Sequence, residues 1–182
     1  MAPADREVQQ GAHDYSGFIH LAVEVEFGMS HEIDARLAAQ GITLPAPAAP
    51  AANYVPFVLD SGLLTISGQL PIENGAVAVT GKLGAGVSLE EGQRAARLCA
   101  VNILAQAQAA LGDLGRIRRC VKLGGFVAST PDFVEQHLVV NGASNLIADV
   151  LGEAGKHARA AVGVPSLPRN AAVEVEALFA VD

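Results

Sequence analysis

Tryptophan is absent from this chain of 182 residues, and Tyr and Phe together account for only 4% of it. Proteins that bind single-stranded nucleic acid usually stack bases on aromatic side chains, so this shortage argues against such a surface. Apolar residues nevertheless make up 51% of the sequence. A core of this composition gains its stability from many small contacts of Ala, Val and Leu, and not from large rings.

Positive charge is also in short supply. The chain has 12 Lys and Arg residues against 19 Asp and Glu residues, which gives a formal net charge of −7. Nucleic-acid-binding proteins usually present a basic patch that neutralises phosphates, so we expect no nucleic-acid partner. A small anionic substrate is compatible with this balance, because one well-placed arginine is enough to bind it.

Long apolar runs, metal motifs and nucleotide motifs are missing as well. No window of about eighteen residues is apolar without interruption, which predicts no membrane-spanning helix. The two cysteines, Cys99 and Cys120, and the five histidines are not spaced like metal ligands, and the Gly-rich segment 81–86 is not spaced like a phosphate-binding loop. The first residues lack the basic start and apolar centre of a secretory signal. We therefore predict a cytoplasmic protein with reduced cysteines, no membrane partner, no metal and no cofactor.

The first half of the chain predicts a short helix, a link and a β-hairpin. Apolar spacing over 33–39 is typical of a helix that ends at Gly41, and a proline-rich link follows to residue 53. Beyond it, apolar residues alternate with polar ones over 54–71, on both sides of Ser61-Gly62. This pattern is typical of two strands joined by a tight turn.

Residues 1–28 precede these elements, and two interpretations of them stay open. The segment 20–27, HLAVEVEF, alternates like a β-strand. It is either an added edge strand or part of an extension without order. We therefore divide the chain into an extension over 1–28, a short helix and proline-rich link over 29–53, and a folded domain over 54–182.

The middle of the chain predicts one long helix and one strand. Ser88 and Glu91 have the spacing of a capping box, which predicts a helix from there to about Leu111. The run RIRRCVKLGGFVAS, residues 116–129, is typical of a strand with a charged, solvated start and a buried end.

The last part of the chain predicts a second helix and two more strands. Thr130-Pro131 indicates the start of that helix and Gly152 its end. Two alternating runs then flank the Pro- and Gly-rich link GVPSLPRN, which predicts two strands that pair as neighbours. The order β-β-α-β-α-β-β indicates an α+β domain. It has one sheet with two helices packed on one face, and another subunit covers the opposite face.

These two last strands carry the candidate chemistry, Arg159 and Glu174. A guanidinium on a strand can donate two parallel hydrogen bonds to a small carboxylate, and a nearby glutamate can handle a water or a proton. A lone strand arginine more often forms a surface ion pair. Here Ala158, Ala160 and Ala161 leave room around Arg159 for a ligand.

The pKa of Glu174 depends on which neighbour it has. Glu176 leaves the strand on the same face, and this like charge together with partial burial would raise the pKa of Glu174. A close Arg159 would lower it. Both outcomes stay open from the sequence.

Several motifs in a fixed order resemble the YjgF/RidA family, also known as endoribonuclease L-PSP. They are Asn53-Tyr54, the run Ser67-Gly68-Gln69-Leu70-Pro71, Asn141, and the C-terminal stretch with Arg159, Leu167-Pro168 and Glu174. The resemblance covers roughly residues 50–182. It implies a chorismate-mutase-like fold with a mixed sheet, assembled as a homotrimer with sites between subunits.

The resemblance also implies an activity and roles for individual residues. Arg159 would bind the substrate carboxylate and Glu174 would position a water, whereas Tyr54, Ser67, Gly68 and Asn141 would line the substrate site. The implied reaction is the hydrolytic deamination, without a cofactor, of a reactive enamine or imine such as 2-aminoacrylate to a 2-keto acid and ammonia.

One departure from the family pattern leaves a second interpretation open. The family has a small polar residue and often a cysteine after its arginine, where this chain has Ala160 and Ala161. The alternative is therefore a non-catalytic trimer that binds a keto acid or similar metabolite. Endoribonuclease activity agrees least well with the acidic charge and the few aromatic residues.

Overall fold

A computed structural model describes residues 31–47 and 52–182 of the chain. Its first helix, α1, covers residues 31–39 of the described part and buries Ile33 and Leu37, which are one turn apart. The helix ends at Gly41, whose positive φ of 66° suits a residue without a side chain. This confirms the helix predicted there. The segment 1–28, with its two interpretations, lies outside the described residues.

Nine strands and three α-helices follow α1 in the described part of the chain. In chain order they are β1 (Phe57–Asp60), β2 (Leu63–Gln69), β3 (Ile72–Glu73), β4 (Ala76–Val77), β5 (Lys82–Leu83), β6 (Gly86–Val87), α2 (Leu89–Leu111), β7 (Ile117–Ala128), α3 (Gln136–Val139), α4 (Asn141–Leu151), β8 (Ala158–Val164) and β9 (Val173–Val181). Five strands form one sheet in the order β1-β2-β9-β7-β8. Only the β7–β8 pair is parallel within it, so the sheet is mixed as predicted.

The hairpin and the long helix form where local chemistry favours them. Ser61 and Gly62 both have positive φ, 50° and 73°, which is the backbone of a two-residue turn that matches strand twist. At the start of α2, Glu91 N donates to Ser88 Oγ and Ser88 N donates to the Glu91 carboxylate at 2.8 Å. The predicted hairpin and capping box are therefore both confirmed.

Alternation along β9 separates the two faces of the sheet. The five residues that face the helices are buried: Val173, Val175, Ala177, Phe179 and Val181. They belong to the same core cluster as residues of α2 and α4. Glu174 and Glu176 point to the opposite side, which we call the open face. The prediction of one sheet with its helices on one face is thus confirmed.

The predicted pairing of the last two strands is wrong. β8 pairs with one edge of β7 and β9 with the other, so β7 lies between them. The helical crossover α3–α4 returns the chain parallel to β7, as such connections do. The link after β8 then passes the end of β7, where Asn170 O accepts from Gly81 N and Ala172 N donates to Val79 O.

The predicted start of the second helix at Thr130-Pro131 is also wrong, since α3 begins at Gln136. The backbone of Thr130 forms other hydrogen bonds instead of starting a helix. Its N–H donates to Leu83 O, and its carbonyl accepts from Phe133 N in a turn. Val140 between α3 and α4 keeps helical dihedrals of −70° and −12°. The two helices therefore continue each other up to Gly152, which has a positive φ of 62°.

The described residues include both cysteines and all helices named above. Cys99 and Cys120 are free and buried. Within residues 31–47 and 52–182, no helix combines the length and apolar character needed to span a membrane. The cytoplasmic location stays a prediction.

Candidate active site

Arg159 lies on the edge strand β8 and points toward the helices. It stands in register with Leu123 of β7, a fully buried core residue of the helix face. Its Nη1 donates to Asn141 Oδ1 at 2.9 Å and to Ser144 Oγ at 3.0 Å, and its Nη2 donates to His137 O at 3.0 Å. Three acceptors from α3 and α4 thus hold a half-buried guanidinium.

These contacts do not neutralise Arg159 and do not use all of its donors. A guanidinium has five N–H donors, and described residues accept from three of them, so five minus three leaves two. The two donors that no described residue uses are Nε–H and one Nη2–H, whose nitrogens are both bonded to Cζ. No salt bridge joins Arg159 to a carboxylate in the described part of the chain. Two adjacent free donors on an unpaired cation are what a carboxylate accepts side-on.

The helix start explains why Asn141 and Ser144 meet the arginine together. Asn141 is the first residue of α4, and residues three apart on a helix share a face. Asn141 was predicted to line the site, and the structure brings it to Arg159. Ser144 and the His137 carbonyl were missed, although the i, i+3 spacing from Asn141 was a signal for Ser144. A backbone carbonyl leaves no such signal in the sequence.

A histidine stands behind this group and was missed as well. His157 Nε2 lies 3.0 Å from Ser144 Oγ, and its Nδ1 lies 2.6 Å from Gly155 O. His157 precedes Arg159 by two residues. Because residues i and i+2 of an extended chain share a side, the sequence could have placed His157 on the same side as Arg159. We call Arg159, Asn141, Ser144, His157 and the His137 carbonyl the arginine half-site.

Glu174 belongs to a second group on the open face of the sheet. It is half-buried, and it stands in register with Phe126 of β7. A Cβ built on Gly68 would lie 2.9 Å from Glu174 Cδ, so the glycine gives the carboxyl group its space. Gly124 does the same for Glu176, whose Oε1 would be 2.5 Å from such a Cβ. Gly68, which was predicted to line the substrate site, therefore lies directly against Glu174.

The pKa of Glu174 is raised above its ordinary value. Burial is the larger cause, and the like charge of Glu176 on the same face is the second. Of the two outcomes left open by the sequence, the upward shift prevails. Arg159 does not lower the pKa, because it lies on the other side of the sheet.

Ser67 precedes Gly68 on β2, and its bonds lead to the segment of Tyr54. Ser67 Oγ donates to Val55 O at 2.8 Å, and Ser67 N donates to Pro56 O at 3.0 Å. These bonds tie the segment that carries Tyr54 to the strand that carries Gly68. Tyr54 itself is 48% exposed, so its ring is free to meet a ligand or another chain. We call Tyr54, Ser67, Gly68 and Glu174 the glutamate half-site.

The two half-sites do not meet within one chain. Arg159 points to the helix side of the sheet and Glu174 to the open face, with β7 between their strands. Neighbouring strands are about 4.8 Å apart, so even the backbones of β8 and β9 are separated by roughly twice that distance. The expectation of an adjacent arginine and glutamate on paired strands is therefore wrong for a single chain.

A separate cavity of about 530 Å³ opens further along β8, and none of the predicted site residues lines it. Its walls include Lys82, Ser129, Phe133, Gln136 and Gly163. Among the described residues there is no group of three or more His, Cys, Asp or Glu side chains that could hold a metal ion.

Comparison with known proteins gives consistent matches. The model of a family described as "YjgF/chorismate mutase-like, putative endoribonuclease" matches residues 34–181. Protein TCP17 of Trypanosoma cruzi is 55% identical over 150 residues, which are 82% of this chain and 94% of that protein.

Two crystal structures are similar over most of this chain. Atu1372 of Agrobacterium tumefaciens, a protein of unknown function, is 62% identical with a TM-score of 0.80, over 85% of this chain and 96% of that one. A "putative endoribonuclease" of Shewanella oneidensis is 34% identical with a TM-score of 0.80, over 82% and 99% of the two chains. These matches confirm the predicted chorismate-mutase-like fold.

Proposed function

We propose that this chain, which belongs to the YjgF/chorismate-mutase-like family, hydrolyses small enamines or imines that carry a carboxylate. The product would be a 2-keto acid, with ammonia released. The observation that carries this proposal is the arginine half-site, where a held guanidinium keeps two adjacent donors free and has no carboxylate partner among the described residues. The endoribonuclease description of the family names another activity, which the experiment below also tests.

The chemistry of Arg159 suits a carboxylate. A planar guanidinium that offers Nε–H and an Nη2–H can bind the two oxygens of a carboxylate side-on. The three acceptors that hold the guanidinium limit its rotation before a ligand arrives. Less conformational entropy is then lost on binding, which favours affinity for a ligand as small as pyruvate.

A second copy of the chain would supply the glutamate half-site. The open face exposes apolar side chains, with Val58 at 52%, Leu63 at 42% and Val162 at 46% exposure. Apolar side chains exposed on one face of a sheet are candidates for a protein contact. We therefore infer a homotrimer in which the open faces are covered and Glu174 of one copy approaches Arg159 of another.

The chemistry would proceed in three steps once both half-sites meet. Arg159 binds the carboxylate of 2-aminoacrylate, and a proton taken from solvent at the terminal carbon converts the enamine to the iminium. A water attacks the iminium carbon while Glu174 accepts one of its protons, which gives the neutral carbinolamine. The carbinolamine nitrogen takes that proton back from Glu174, the C–N bond breaks to release ammonia, and the hydroxyl proton passes to solvent as the C=O bond of pyruvate forms. In the single chain burial and Glu176 raise the pKa of Glu174, which favours proton transfer nearer neutral pH, and Arg159 of a neighbouring copy would act in the opposite direction.

A metabolite-binding trimer without turnover is the second candidate, and one observation favours it. Ala161 follows Arg159 on the same side of β8 and offers no functional group to a substrate. Such a protein would bind pyruvate through Arg159 but would leave 2-aminoacrylate unchanged.

The deciding experiment measures ammonia and pyruvate release from 2-aminoacrylate generated in the cuvette by a pyridoxal-phosphate-dependent serine dehydratase. We expect the protein to accelerate the release, and Glu174→Gln to abolish most of the acceleration. Pyruvate binding without acceleration would leave the binding trimer as the function. Cleavage of single-stranded RNA that survives Arg159→Lys and Glu174→Gln would point to ribonuclease chemistry elsewhere on the protein.

A further inference from the structure

Within the arginine half-site, Ser144 connects Arg159 to His157. Ser144 Oγ is 3.0 Å from Arg159 Nη1 on one side and 3.0 Å from His157 Nε2 on the other. His157 Nδ1 is 2.6 Å from Gly155 O. All three side chains are half-buried, so water competes only in part for these bonds.

The chemical nature of each partner fixes where the protons lie. A guanidinium can only donate, so Ser144 Oγ accepts from Arg159 and its own hydroxyl proton is available to His157 Nε2. A carbonyl can only accept, so His157 Nδ1 carries a proton and donates it to Gly155 O. With Nδ1 as the donor, Nε2 of a singly protonated imidazole is an acceptor for the Ser144 hydroxyl.

We infer that Ser144 and His157 form a positioning pair that sets the orientation of the Arg159 guanidinium. Both Nη1 hydrogens are directed away from the ligand, one to Asn141 and one to Ser144. The end of the guanidinium is thereby occupied, and a carboxylate is directed to the Nε and Nη2 side. This inference rests on the proposed role of Arg159 as the carboxylate clamp.

The same geometry argues against Ser144 as a nucleophile, although a serine beside a histidine can serve as one. The free donors of Arg159 lie on Nε and Nη2, whereas Ser144 contacts Nη1. A bound carboxylate would therefore lie on the far side of the guanidinium from the Ser144 oxygen. Ser144 acts through the arginine and not on the substrate.

The local fold holds the histidine in place. Gly155 is buried in the short turn after α4, and a Cβ on it would lie 2.7 Å from Ala148 Cα. Only a glycine allows the turn to approach α4 this closely, and this approach places the Gly155 carbonyl at His157 Nδ1. The helix, the turn and β8 thus converge on one chain of hydrogen bonds, Gly155–His157–Ser144–Arg159.

Two substitutions of His157 provide a matched test. In His157→Gln the longer amide can reach the former Nε2 position and accept from Ser144. In His157→Asn the shorter amide can still donate to Gly155 O but cannot reach Ser144. Ser144→Ala removes the acceptor itself. Each protein is titrated with pyruvate by calorimetry, and the Arg159 side-chain NH signals are followed by NMR.

We expect pyruvate affinity to fall roughly threefold to tenfold in Ser144→Ala and His157→Asn, because the guanidinium must then be ordered on binding. His157→Gln should stay within about twofold of the unchanged protein, since it keeps the acceptor. The separate Nη signals of Arg159 should merge in the first two variants and not in the third. Equal affinities and unchanged signals in all three would overturn the inference.

A measurement on the unaltered protein covers the case in which a variant does not fold. Nitrogen NMR of His157 at about pH 8 should show a protonated Nδ1 and a bare Nε2. A proton on Nε2 would refute the pair. Failure of 2-aminoacrylate hydrolysis alone, with this tautomer and the affinity pattern intact, would reject the deaminase function and leave the positioning pair standing.

Discussion

Replacing Arg159 with lysine separates charge from geometry at the arginine half-site. A lysine ammonium has three donors, and three acceptors already surround the position, namely Asn141 Oδ1, Ser144 Oγ and the His137 carbonyl. If these acceptors take all three donors, none remains for a ligand. The substitution therefore keeps the positive charge and removes the side-on pair of Nε–H and Nη2–H.

The size of the effect follows from the bonds that are lost. A hydrogen bond to a charged group contributes roughly 1.5–3 kcal/mol, and loss of at least one of the two is expected. Pyruvate affinity and 2-aminoacrylate turnover should both fall about tenfold to a hundredfold or more. Calorimetric titration with pyruvate and initial rates of ammonia release measure these two quantities on the same preparation.

A second arginine provides the control. Arg94 on α2 forms an exposed salt bridge with Glu73 at 2.7 Å, which lysine can also form. Arg94→Lys should leave binding, turnover and the thermal midpoint unchanged, and Arg159→Lys should change only the first two. If Arg159→Lys binds pyruvate as tightly as the unaltered protein, Arg159 is not the carboxylate clamp and the deaminase proposal loses its main support.

Three further predictions concern the glutamate half-site and the assembly. Glu174→Gln should keep pyruvate binding and lower turnover by roughly a hundredfold or more, because an amide cannot accept the proton from water. The same variant tests the raised pKa. A carboxyl with a raised folded pKa makes the protein less stable as pH rises from the ordinary value of 4.5 toward the folded value. Where burial and Glu176 outweigh Arg159 of the neighbouring copy, Gln should therefore raise the thermal midpoint at neutral pH and give no gain below about pH 4. An equal gain at both pH values would contradict the shift. Gly68→Ala should lower turnover on the order of tenfold by pushing a methyl group against Glu174, whereas Gly124→Ala, which crowds Glu176 in the same way, should not. Equal losses in both would mean that the open face is disturbed as a whole. Light scattering should give three times the chain mass, because the open face is apolar and exposed in one chain, and a monomeric mass would remove the composite site.

Local patterns in the sequence determined most of the elements. The capping box of Ser88 and Glu91 marks the start of α2, the Ser61-Gly62 turn defines the first hairpin, and the alternation of β9 separates buried valines from the glutamates. Each of these features depends on residues only a few positions apart, so a single sequence is sufficient to predict it. Asn141 and Gly68 were predicted to line the substrate site through the family resemblance, and the structure brings them to Arg159 and Glu174 respectively.

The tertiary structure alone decided how the candidate residues are divided between the two faces of the sheet. Alternation shows which residues of one strand share a face, but it does not show which strand pairs with which. The crossover through α3 and α4 places β8 beside β7, and β7 then separates Arg159 from Glu174. The contacts of Arg159 with Ser144 and the His137 carbonyl follow from the same packing. Every residue has a backbone carbonyl, so the residue type does not show which carbonyl accepts from Arg159. Ser144 contacts Arg159 only because the fold packs β8 beside α4.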